Sequence, residues 1–390
     1  MIYIEQCRKD TPGCKTKIHF NNAGASLMPN SVIEAMKNYL ALESVTGGYE
    51  TADLKTSEIA GFYEHMARLL NSQPKNIAFT SSATNSYTRA LSSISFERGD
   101  VILIAREDYI SNQLAFLSMQ QRLGVQLIRA GSLPEGGIDL DDLRRLMDKH
   151  RPKLVSLTHI PTNSGLVQPA QAVGKLCAER EVLYLLDACQ SAGQLPLDVN
   201  AIHCDFLTGT FRKFLRGPRG AGFLYVSDHV LNKGLSPLFI DMRGADWVEK
   251  DSYTIRADAR RFEDWEIPYD ILLGSSAAAR YATEIGLENI KIRNEELCVL
   301  VRQKLHEHNF TTLDTGRELS SIITVNMPGK DSGQVLQSLR AKNINTSITT
   351  RSSAVIDFDA KGVTWALRIS PHYYNTEEEV DILIKALLEI

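Results

Sequence analysis

The chain has 390 residues, 43% of them hydrophobic and 23% charged, with a formal net charge of −4. This profile excludes a disordered chain and leaves room for one large core and a smaller one. No apolar run reaches the ~18 to 20 residues of a membrane span, the opening residues lack a signal peptide's apolar centre, and there is no basic tract, so a cytoplasmic protein without membrane or nucleic-acid partners is expected.

From about residue 76 to 226, β-branched or apolar runs alternate with helical stretches. The predicted strands are Ile77 to Thr80, Val101 to Ala105, Val125 to Arg129, Leu154 to Thr158, Val182 to Asp187, Phe206 to Thr210 and Gly222 to Val226. Such alternation implies right-handed βαβ crossovers and an α/β domain with a mostly parallel seven-stranded sheet, whose ligands bind beyond the carboxyl ends of the strands. After about Arg261 come long amphipathic helices (275 to 307), then short strands near 321 to 327, 345 to 349 and 364 to 370. A final helix, Glu377 to Leu388, closes the chain. This reads as a smaller α+β domain. The expected boundaries are 15–260 for the large domain and 261–390, with 1–14, for the small one. The six cysteines and nine histidines are scattered without metal-ligand or disulfide spacing, so reduced thiols and no metal are expected.

Four segments end predicted strands with residues suited to an anionic aromatic cofactor. Phe79 to Asn85 runs from a strand into a helix, where the free backbone amides and the Thr84 hydroxyl suit a phosphate; an ordinary Ser/Thr N-cap is the other reading. In Leu185 to Gln190, the carboxylate of Asp187 emerges where the strand stops, as a cap, a metal ligand or a partner for a ring nitrogen, and Gln190 can bond a phenolic oxygen. Lys213 follows a strand and precedes a glycine-rich stretch; Arg212 and Arg216 beside it disfavour the ammonium form and favour a Schiff-base amine, against a plain basic loop. Arg368 lies within the apolar run Ala366 to Ser370, where a guanidinium holds either an internal carboxylate or a substrate's.

The order and spacing of these segments, with Phe20 to Ala25 at one end and Tyr374 to Val380 at the other, resemble the class V aminotransferase family of fold-type I pyridoxal phosphate (PLP) enzymes. The resemblance implies PLP as cofactor and an α-amino acid as substrate. By that resemblance Lys213 is the Schiff-base lysine, Asp187 the partner of the pyridine nitrogen and Gln190 that of the O3′ oxygen. Ala83, Thr84 and Thr210 match phosphate positions, and Arg212 stands where most members have a histidine. Tyr109 falls at the ring-stacking position, Asn163 near the asparagine that approaches O3′ and the substrate carboxylate, and Arg368 at the carboxylate-binding arginine. Asn22 and Ala23 fall in the opening turn, also expected to meet substrate. A homodimer is implied.

Two departures narrow the reading. Arg261-Phe262-Glu263 is followed by Asp264-Trp265-Glu266 in place of the Gly-Thr that reaches a neighbouring subunit's phosphate. Residues 344 to 355, where desulfurases carry a nucleophilic cysteine, contain none. With Gly47 to Glu50, Arg212 to Gly220 and His372 to Thr376, these features resemble the subgroup that includes hercynylcysteine sulfoxide lyase. The expected activity is β-elimination from an S-substituted cysteine or its sulfoxide, giving pyruvate and ammonia. Aminotransferase, epimerase, cysteine desulfurase and non-catalytic PLP-binding readings are the alternatives.

Overall fold

The computed structural model describes residues 2–390. Seven strands form the main sheet: β1 (Ile77–Thr80), β2 (Val101–Ile104), β3 (Gln126–Arg129), β4 (Leu154–Thr158), β5 (Leu183–Asp187), β6 (Phe206–Thr210) and β7 (Gly222–Val226), in the spatial order β1-β7-β6-β5-β4-β2-β3. Only β7 runs against its neighbours. All seven fall within a residue of the expected bounds, because strands covered on both faces read as short apolar runs. Successive side chains serve opposite cores: Ile77 and Phe79 pack on one face, Ala78 on the other.

The first face is covered by α1 (Asn30–Thr46), α2 (Thr56–Leu70), α5 (Leu140–His150), α6 (Ala170–Ala178) and α7 (Tyr269–Ile285), the second by α3 (Ala83–Ser92) and α4 (Ile110–Leu123). An exposed hairpin, β8 (Ala245–Glu249) and β9 (Ser252–Ile255), leaves this body before α7. The small domain holds a four-stranded antiparallel sheet of β10 (Thr311–Thr312), β11 (Ile323–Asn326), β12 (Ser347–Thr350) and β13 (Trp365–Ile369), ordered β10-β11-β13-β12. Around it lie α8 (Leu287–Glu307), α9 (Ser332–Ala341), α10 (Val355–Lys361) and α11 (Glu377–Leu388). The start of α11 is set by a capping box, in which the Thr376 hydroxyl and the Glu379 carboxylate each accept the other's backbone N–H.

The expected domain boundary differs from the packing. Helix α7 lies beyond residue 261, yet Leu272, Ala278 and Ala282 are buried in the large-domain core with α2 residues, and Cys7 of the N-terminal segment joins the same core. The small-domain core begins with Cys298 and Val301 on α8, joined by Phe20.

His159, directly after β4, is buried with Nδ1 unpartnered, and burial lowers its pKa to about 4. Between that value and its ordinary 6.5 the unfolded chain binds the proton and the folded one does not, so stability falls as pH drops through this window. His159→Leu is expected to lessen the loss of unfolding free energy between pH 7 and 5 by about 2 kcal/mol, measured by denaturant titration at both values.

Candidate active site

The carboxyl ends of β4, β5 and β6 lie side by side, with Thr158 in register with Asp187 and Asp187 with Thr208. Asp187 is buried, and two donors fix its carboxylate: Asn112 Nδ2 reaches Oδ2 at 2.9 Å and the Cys189 amide reaches Oδ1 at 2.9 Å. Asn112, on α4, also donates to Asp108 Oδ1 at 3.1 Å, and Thr158 donates to the same oxygen. Burial is the largest influence on Asp108 and raises its pKa to about 6. Two acids thus share one amide. No local pattern marks Asn112 for this part, since 75 residues separate it from Asp187.

Lys213 follows β6 and is buried, its ammonium lowered in pKa first by burial; Cys189 and Asp187 oppose the shift while Arg212 and Arg368 add to it. Its Nζ lies 5.6 Å from the centroid of the Tyr109 ring. Arg216 was expected to press on the lysine and does not. It turns into a cage of Tyr281, Tyr373 and Tyr374, donating to Leu27 O at 2.9 Å and Tyr373 Oη at 2.6 Å.

Arg368, on β13, projects towards the same place. It donates through Nε to Ser347 Oγ at 3.0 Å on the paired strand β12 and has no carboxylate partner among the described residues, so the internal-salt-bridge reading falls. Burial, then the neighbouring Arg212, bring its pKa down to about 10. Arg212 donates to the Gly24 carbonyl and keeps its other donors free.

Beside this cluster, α3 starts at Ala83. The Ser82 side chain accepts only from Asn85 N at 3.1 Å, which leaves the first amides of the helix, those of Ala83 and Thr84, open. The close approach of β7 needs glycine: a Cβ on Gly222 would stand 2.4 Å from Ser82 C and 2.6 Å from Ala83 N. Gly222 in turn pairs with Thr210, which brings that hydroxyl to the same end. Behind this helix the Arg-Phe-Glu segment is structural. Glu263 is wholly buried and accepts from Phe79 N, Tyr63 Oη and Arg243 Nε at 2.9, 2.8 and 3.1 Å.

Two expectations change. Asn22 is buried and fully engaged: Nδ2 donates to Ser370 O at 2.8 Å and Oδ1 accepts from Tyr374 Oη at 2.6 Å, leaving nothing for a substrate. Ala23 spends its amide on Ser370 Oγ at 3.0 Å and its carbonyl on Gln190 Nε2 at 3.2 Å. Asn163 gives its amide to Asp357 Oδ2 at 2.6 Å, across the domain cleft. Gln190 stays at the site with Oε1 buried and unpartnered, as is Thr208 Oγ1.

These residues fit PLP. A buried lysine with no ion-pair partner among the described residues, a half-buried arginine with no carboxylate partner, orphaned polar atoms at the strand ends and open amides on α3 are what an anionic, ring-bearing group would satisfy. Fold and site together define a PLP-dependent enzyme of fold type I.

The chain belongs to the class-V aminotransferase family, whose profile matches residues 18–383. A probable cysteine desulfurase of Methanothermobacter thermautotrophicus is 27% identical, with the alignment covering 100% of this chain and 99% of that one. The solved apo structure of a cysteine desulfurase from Thermococcus onnurineus NA1 superposes with a TM-score of 0.92 at 26% identity, covering 100% of this chain and 98% of the other. A complex of the cystine C-S lyase C-DES with cysteine persulfide has a TM-score of 0.86 over 97% of this chain and 99% of the other; at 22% identity it speaks for the fold alone. The relatives' names thus favour the desulfurase alternative over the elimination expected first. Among the described residues no helix is long and apolar enough to cross a membrane.

Proposed function

We propose that this enzyme cleaves the Cβ–S bond of a cysteine-derived amino acid by β-elimination, releasing pyruvate and ammonia. The observation that carries this reading is the state of the thiols. All six cysteines are pushed above the ordinary thiol range, burial being the largest cause in each, and residues 344 to 355 beside Arg368 supply none. Desulfuration needs a thiolate to accept the sulfur. Cys189 stands nearest, but its amide is tied to Asp187, on the side of the proposed ring nitrogen, and its thiol is held protonated by burial and by that carboxylate.

In this reading PLP, when bound, supplies an electron sink for charge developing at the substrate's Cα. The protein does the rest. Arg368 takes the α-carboxylate in its fork, with Ser347 fixing the guanidinium. Asp187, held on both oxygens, keeps a proton at the ring nitrogen. Gln190 bonds O3′, Tyr109 covers the ring, and Ala83, Thr84, Thr210 and Arg212 hold the phosphate. Lys213, its basicity tuned by burial, removes the α-proton through Nζ. The electron pair left at Cα forms the Cα–Cβ double bond and expels the sulfur group from Cβ as its anion, and water hydrolyses the released enamine to pyruvate and ammonia.

The test is to supply PLP-loaded protein with an S-substituted cysteine sulfoxide, with cystine, and with cysteine. Pyruvate from either of the first two is expected. Alanine from cysteine, with a protein-bound persulfide, would establish the second reading, desulfuration, which the names of the relatives favour. Removal of a charged hydrogen-bonding partner costs about 1.5–3 kcal/mol, so Arg368→Ala is expected to raise KM by about 10- to 100-fold with a smaller effect on kcat.

A second copy of the chain is the proposed partner. Leu238, Phe239 and Met242 on the approach to the hairpin, and Trp247 upon it, are each at least 67% exposed, a run of bare apolar side chains of the kind that marks an interaction surface. Light scattering should give twice the chain mass, and Trp247→Asp with Phe239→Asp should shift it towards the monomer.

A further inference from the structure

Between the two domains lies a cavity of about 300 Å³ that the proposed chemistry does not use. One wall is the face of α4 that carries Ile110, Leu114 and Leu117, spaced so that all three project together; Val355 and Ile356 of α10 stand opposite. Leu114, Leu117 and Val355 are 59, 40 and 45% exposed, so this apolar lining faces open space. The chain ties the cavity to the reacting centre: Asp108 and Ile110, which line it, flank Tyr109, whose ring approaches Lys213, and Asn163 lines it as well.

Its charges are unequally satisfied. Each lining carboxylate is occupied internally. Glu107 accepts from Ser164, Asp108 from Thr158, Asn112 and Gln113, and Asp357 from Asn163 and Lys361. The guanidinium groups are not. Arg129 gives one donor to Gln113 at 2.9 Å, and Arg106 has no hydrogen-bonding or ionic partner among the described residues. A cavity with apolar walls and two exposed guanidinium groups without carboxylate partners on its lining is complementary to a group with an apolar stem and an anionic end.

We propose that this cavity is the subsite for the sulfur-borne group of the substrate, and that it selects cysteine S-conjugates whose apolar substituent ends in a carboxylate or similar anion. The inference rests on the Cβ–S cleavage reading and goes beyond it by naming the substrate class. The matched probes are S-benzylcysteine and S-(4-carboxybenzyl)cysteine, which differ only at the far end of the stem.

Calorimetric titration of the PLP-loaded Lys213→Ala protein reads binding apart from turnover. The carboxylated probe is expected to bind about fivefold more tightly, the gain of partly exposed ion pairs, and the preference should vanish in a protein also carrying Arg106→Gln and Arg129→Gln. Leu114→Asp, at an already exposed position, should weaken both probes about tenfold while the fold, followed by circular dichroism, stays intact. Equal affinities, or a preference that survives loss of both arginines, would overturn the subsite. Product analysis with Lys213 intact separates the two claims. Alanine in place of pyruvate removes the elimination reading and leaves a measured preference standing; pyruvate without a preference removes the subsite alone.

Discussion

Replacing Lys213 by alanine is expected to lower turnover by at least about 10³-fold, the scale of a lost general base, while leaving the fold intact. The argument begins with burial. Lys213 is 5% exposed, lacks an ion-pair partner among the described residues, and has its ammonium form disfavoured before any neighbour is considered. Truncation therefore removes a buried charge that its neighbours compensate only in part and leaves a small void, so stability should change little. Arginine at this position would keep the charge and lose the titratable amine, and should be as inactive as alanine. Stopped-assay product formation and circular dichroism check both claims. An alanine variant with near-normal turnover would sink the assignment of Lys213 as the base.

Glu263→Ala is expected to destabilise the protein by about 3–5 kcal/mol, as when one partner of a buried ion pair is removed. The carboxylate satisfies three groups at once: the Phe79 amide, the Tyr63 hydroxyl and Arg243. Alanine strands all three. Because Phe79 belongs to the strand that feeds Ala83 and Thr84, loss of cofactor affinity should accompany loss of stability. Glu263→Gln keeps an acceptor and a fitting volume, and should recover part of both. The denaturation midpoint of each variant, with and without added PLP, checks the ordering.

The sequence was most legible where a local pattern and a structural role coincide. Strands such as Leu154–Thr158, buried on both faces, must be continuously apolar, and the polar residues that end them sit where an open α/β sheet binds its ligands. The start of α11 was readable because its capping box is complete within four residues. The boundary at 261 was not readable. An amphipathic helix shows that it has a buried stripe and does not show which layer receives it, so α7 could be set with the small domain although it packs on α1 and α2. Asn22 and Asn112 show the same limit at the site. One asparagine from the opening turn serves the C-terminal strand's exit through Ser370, and another, on an unremarkable helix, holds Asp187. Such partnerships depend on contacts across 75 to 348 residues, for which no spacing rule exists.

The cage around Arg216 bears on how the protein is made. That guanidinium, three residues past Lys213, is held by Thr11 and Leu27 from the start of the chain and by Tyr373 from near its end. During synthesis the large-domain sheet is complete by residue 226, yet the turn carrying the lysine lacks one wall of its cage until the final strand and the segment after it have left the ribosome. The nascent chain therefore passes through a stage with its large sheet paired and the turn that carries its reactive amine not yet closed in. A variant lacking either Thr11 and Leu27 or Tyr373 should accordingly fold in part and hold PLP poorly.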